Sequence, residues 1–72
     1  MKTLNATQLI RGNEVTTQIS LAKGVWLDHV TGNKVKLVER CRVVKEYDGS
    51  LQDVLAQVYG PANVTYKVIG RF

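Results

Sequence analysis

The stretch Asp48-Gly49-Ser50-Leu51-Gln52-Asp53-Val54-Leu55-Ala56-Gln57-Val58-Tyr59-Gly60-Pro61 carries the one convincing helix signal in the chain. Asp48-Gly49-Ser50 breaks the run before it, Ser50 is a good N-cap, and Asp53 in the first turn suits the positive helix end. Leu51, Val54, Leu55, Val58 and Tyr59 fall at i, i+3, i+4, i+7 and i+8, an amphipathic stripe. Gly60 suits a left-handed C-terminal cap, and Pro61 prevents continuation. A helix of roughly ten residues does not persist alone in water, so this one, over about 51–59, must dock its stripe on another layer.

That layer reads as β-sheet on either side of the helix. After it, Val64, Tyr66 and Val68 alternate with Thr65, Lys67 and Ile69, a strand over 63–69. Before it, a run from Lys34 to Tyr47 is apolar at Val35, Leu37, Cys41 and Val43 and basic at Lys34, Lys36, Arg40 and Arg42. Fourteen residues exceed a typical strand, which predicts a bulge or bend near Val38–Arg40. Val25–Val30 reads as a short strand, and Thr31-Gly32-Asn33 as the turn joining it to that run, Trp26 side against Leu37 side. Glu14–Ala22 alternates cleanly, with Val15, Thr17, Ile19 and Leu21 on one parity. Leu4–Ile10 is too short and mixed to assign, so residues 1–10 stay open between a strand, an ordered tail and a flexible one. Strand, helix and strand around 48–62 allow a parallel crossover. The expected fold is α+β: a small two-layer domain over 1–72, with a mixed or antiparallel three- to four-stranded sheet and one short helix.

Composition bounds the function classes. Seventy-two residues, 44% hydrophobic and 22% charged, are too few for a two-domain cofactor enzyme and too apolar for a disordered tail. A core this small is marginal. Cys41 and His29 are the only residues of their kinds, so an internal disulfide or a zinc site is not expected to staple it. No apolar run reaches the ~18 residues of a membrane helix, and Met1–Ala6 has no apolar signal core. With an unpaired thiol, these features suit a reducing cytoplasm.

The catalytic inventory is poor. His29 and Cys41 lie on different expected strands, with His29 set opposite residues near 35, so no nucleophile pair is expected, and Cys41 reads as buried. The six acids are scattered, and Gly49-Ser50 is a cap rather than a phosphate loop. The reading is no enzyme, no cofactor and no metal.

A basic ridge is the best functional feature. The net charge is +4, from ten Lys/Arg and six Asp/Glu. Lys34, Lys36, Arg40 and Arg42 are expected to project from one face of the long strand, about 6.5–7 Å between alternate residues. Lys67 extends that patch from the last strand and Arg71 from the tail. Such a surface attracts an acidic protein or phosphates. Trp26 is either core or an interface anchor, and Phe72 is either a staple on the sheet edge or an exposed hook. Nucleic acid is the lesser expectation, because no aromatic interleaves the ridge and a single helix builds no helix-turn-helix.

Val43-Val44-Lys45-Glu46-Tyr47-Asp48-Gly49-Ser50-Leu51-Gln52-Asp53-Val54-Leu55, followed by Tyr59-Gly60-Pro61-Ala62-Asn63-Val64-Thr65, resembles the strand–helix–strand core of small bacteriophage proteins that bind host RNA polymerase. The order is similar to that of coliphage polymerase inhibitors, and the size and basicity to those of a Xanthomonas-phage regulator. The resemblance implies a monomeric regulator in the cytoplasm of an infected bacterium, docking a basic surface on an acidic polymerase surface to inhibit or reprogram transcription. In the coliphage proteins the strand after the helix carries two arginines that matter for binding. Here Lys67 matches one and an apolar residue stands at the other, and Asp53 is the only acid between 51 and 59. A nucleic-acid-binding module on the Lys34–Arg42 ridge and another small phage inhibitor of a host protein are the alternatives.

Overall fold

The computed structural model describes residues 2–60 and 63–72. The expected helix stop at Pro61 lies outside them. Among the described residues the order is β1 (Lys2–Arg11), β2 (Glu14–Ala22), β3 (Val25–Val30), β4 (Val35–Glu39), β5 (Arg42–Tyr47), α1 (Leu51–Tyr59) and β6 (Val64–Arg71). The strands form one mixed sheet in the order β5-β4-β3-β2-β1-β6. Consecutive strands β1 to β5 pair antiparallel as a meander, and β6 returns to pair parallel with β1.

This corrects the expected fold. The sheet has six strands rather than three or four, and the chain is mostly strand, with one short helix. Two segments account for the difference. Lys2–Arg11, left open in the sequence, is an interior strand paired on both sides. The long run 34–47 is two strands folded back on each other, with Glu39 opposite Arg42. Arg40 and Cys41 make that reversal at φ 52° and 62°, the positive-φ pair of a type I′ hairpin turn. Neither residue announces such a turn, which favours Asn and Gly, so a bend was the most the sequence suggested. Cys41 is exposed at the tip rather than buried.

Residues paired across neighbouring strands share a face of the sheet. The helix-side face carries Leu4, Ala6, Ile19, Leu27, Val35 and Val64, which close on Leu51, Val54 and Leu55 of α1 in one buried cluster. Tyr59, at the end of the stripe, is 42% exposed. Trp26 pairs with Val38, and Leu27 with Leu37, so Trp26 and Leu37 point to opposite faces rather than toward each other.

Local hydrogen bonds seat the helix. Ser50 Oγ accepts from the Asp53 backbone N–H at 3.2 Å. Gln52 Nε2 donates to the Val64 carbonyl at 2.6 Å, while Thr65 Oγ1 donates to Gln52 Oε1 at 3.0 Å. Gly60 closes the helix at φ 138° and ψ 170°, an extended positive-φ conformation open to glycine, rather than the left-handed cap expected. Replacing Ser50 by alanine removes the cap acceptor and is expected to lower stability by about 1 kcal/mol, read from the urea midpoint.

Both edge strands are interrupted. The β4–β5 register shifts between Leu37 and Val38, leaving Val44 as an extra residue. The β1–β6 register shifts between Ala6 and Thr7, leaving Ile69 as another. Bulges at sheet edges discourage pairing with further strands.

Candidate functional site

The expected basic ridge does not exist as one face. Lys34 sits in the β3–β4 loop, with Nζ 3.4 Å from Asp48 Oδ1 in an exposed pair that contributes little. Lys36 lies on the helix-free face, flanked in the register by Asp28 and Glu46. Arg40 is at the hairpin tip. Arg42 falls on the helix side, because the two-residue reversal at Arg40–Cys41 sets it opposite Glu39, whose face of β4 is the other one from Lys36. Arg71 is also turned away: its Nε donates to Gln8 Oε1 at 3.1 Å, past the bulge of β6. Lys67, beside Asn5, does project from the helix-free face.

The antiparallel register instead gathers cations along one end of the sheet. The β2–β3 and β4–β5 turns are neighbours there, joined by the Arg40 N–H donating to the Gly24 carbonyl at 3.1 Å. β1 and β5 both begin at that end. Lys2, Lys23, Arg40 and Arg42 therefore line one rim, all exposed, from β1 across to β5. At about 4.8 Å per strand, the rim is roughly 19 Å long. Glu39 is the acid among the described residues on it. Four cations against one acid place +3 of the net +4 here, leaving six cations and five acids elsewhere. Lys2 and Lys23 were not singled out in the sequence, because they stand alone in their local segments.

The helix-free face forms a second feature. Asn5, Thr7, Gln18, Ser20, Trp26 and Ile69 line most of a depression of about 280 Å³. A second, of about 250 Å³, continues from Thr7 and Gln18 to Leu9, Thr16 and Phe72. No charged side chain lines either one. Trp26 is half-buried at one end of this groove and lies outside the core cluster. Phe72 marks the other end and is both staple and hook. Its N–H donates to the Gln8 carbonyl at 2.8 Å and its carbonyl accepts from the Ile10 N–H at 2.9 Å, yet the residue is 73% exposed. Its ring lies over Gly70, where an added Cβ would meet it at 3.3 Å. Trp26 Nε1 and Asp28 Oδ1 are buried without a hydrogen-bond partner. The polar parity of β2 made Gln18 and Ser20 legible as a surface, but the groove requires β1 and β6 beside them.

Among the described residues no three His, Cys, Asp or Glu side chains cluster as a metal site, and no helix is long and apolar enough to cross a membrane. The β5–α1–β6 segment that carries the phage-protein resemblance has its two strands at opposite edges of the sheet. Compared with protein-family models, curated proteins and solved structures, the chain shows no match.

Proposed function

We propose that this chain is a docking module that seats its basic rim on an acidic surface of another protein, and that the partner is host bacterial RNA polymerase. It acts as a phage-type regulator that inhibits or reprograms transcription, as a monomer in the cytoplasm of an infected cell. The observation that carries the docking reading is the gathering of Lys2, Lys23, Arg40 and Arg42 against Glu39 alone at one end of the sheet. A one-signed rim of this length speeds encounter with an oppositely charged surface and orients it. The bulged edge strands support a monomer, since they oppose sheet extension by a second copy. The choice of polymerase rests on the resemblance of residues 41–69 to phage polymerase-binding proteins.

The test is affinity capture from bacterial lysate with the wild-type chain and a Lys23→Glu/Arg40→Glu/Arg42→Glu variant. These side chains are exposed, so the variant is expected to keep its fold, checked by circular dichroism. Polymerase subunits are expected with the wild type, and a loss of about tenfold or more with the variant. Capture without enrichment of polymerase, or equal recovery by both proteins, would overturn the reading.

A further inference from the structure

We propose that the groove on the helix-free face binds single-stranded RNA, with Trp26 and Phe72 as stacking platforms. This surface adjoins the rim at Lys23 and does not depend on the polymerase reading. A single strand is held by flat aromatic rings that stack its bases, polar groups that meet base and sugar edges, and cations that follow its phosphates. The groove brings the three together.

The rings stand at its two ends. Trp26 is level with Ser20 on β2, and Phe72 reaches the level of Leu9 and Thr16. Four residues along a strand and three strand spacings across set them roughly 19 Å apart, room for several nucleotides. The floor between them is amide and hydroxyl: Asn5, Thr7, Thr16, Gln18 and Ser20. Each of these groups both donates and accepts hydrogen bonds, as the ribose 2′-hydroxyl does, which favours RNA over DNA. The cations lie at the margins. Lys67 is beside Asn5, and Lys23 adjoins Gly24 at the lip of the depression, where the groove meets the basic rim.

A neutral protein segment would also match the floor but would leave the marginal lysines without a role.

Trp26 is the only tryptophan, so its emission reports on the groove directly. The experiment titrates twelve-residue oligo-U, oligo-dU and a duplex DNA of equal length into the full chain at low salt. Oligo-U is expected to quench Trp26 emission and to bind more tightly than oligo-dU, with the duplex weaker than both. Phe72→Ala, an exposed position whose loss leaves the core intact, is expected to weaken oligo-U binding by about fivefold or more, the loss of one base–aromatic stack. Lys67→Ala is expected to weaken it and to flatten its salt dependence. Absence of quenching, equal affinity for the duplex, equal or tighter binding of oligo-dU, or unchanged affinity in Phe72→Ala would each overturn the proposal.

Discussion

Replacing Leu27 with alanine is expected to lower the free energy of unfolding by about 2–5 kcal/mol. Leu27 is fully buried on β3, one of the middle strands, and shares a cluster with Leu4, Ile19, Val35, Val54 and Leu55. Removing its branched end forfeits apolar transfer energy and leaves a cavity that six strands and a docked helix cannot readily collapse. For a domain of this size the whole stability is of the order of 4–11 kcal/mol, so the loss is a large share of it. Urea unfolding followed by Trp26 emission measures it, because Trp26 is the residue before Leu27 in β3. Val43, 54% exposed on edge strand β5, is the control, and alanine there is expected to change stability by less than about 0.5 kcal/mol. A Leu27→Ala loss below about 1 kcal/mol would contradict the core described above.

The opposite sign is expected at the β4–β5 turn. Arg40 and Cys41 both hold positive φ, where a side chain crowds the backbone. Changing the pair to Asn-Gly supplies the residues a type I′ turn prefers. The expected gain is about 1–2 kcal/mol, which in a domain this small raises the melting temperature by roughly 4–16 °C. Thermal unfolding by circular dichroism reads the shift. Cys41→Gly alone keeps the Arg40 charge on the rim and is expected to supply about half of the gain. A lower melting temperature in either variant would mean that the reversal lies elsewhere in 34–47.

The helix was legible because its signals are all local. Ser50, Asp53, the Leu51-Val54-Leu55 spacing and Gly60 sit within one short window, and each bears on a hydrogen bond or a contact within that window or on one buried face. The β2 strand was legible for the same reason, since alternation is a property of consecutive residues. The hairpin at Arg40–Cys41 carried no such signal. Its turn residues are poor, and a basic alternation runs through the reversal as though the strand continued. The bulges at Val44 and Ile69 were hidden too, because an extra residue shows only against the register of a partner strand.

The candidate sites divide in the same way. Trp26, Arg40, Arg42 and Lys67 were visible as residue types suited to binding, yet their grouping was not. Arg42 leaves the expected ridge because the hairpin reversal pairs it with Glu39, and Lys2 and Lys23 join the rim because two turns and two strand starts share one end of the sheet. Phe72 meets the groove of Trp26 only because β6 pairs with β1 far from its own sequence neighbours.

By itself, then, the sequence determined a small basic chain with one capped, amphipathic helix and several alternating strands. Those features depend on propensities and periodicities that act within a few residues. Tertiary structure alone decided the strand count, the crossover of α1 from one edge of the sheet to the other, and which charges and rings stand together. Strand pairing joins residues distant in the chain, and a one-residue shift in register moves a side chain to the other face.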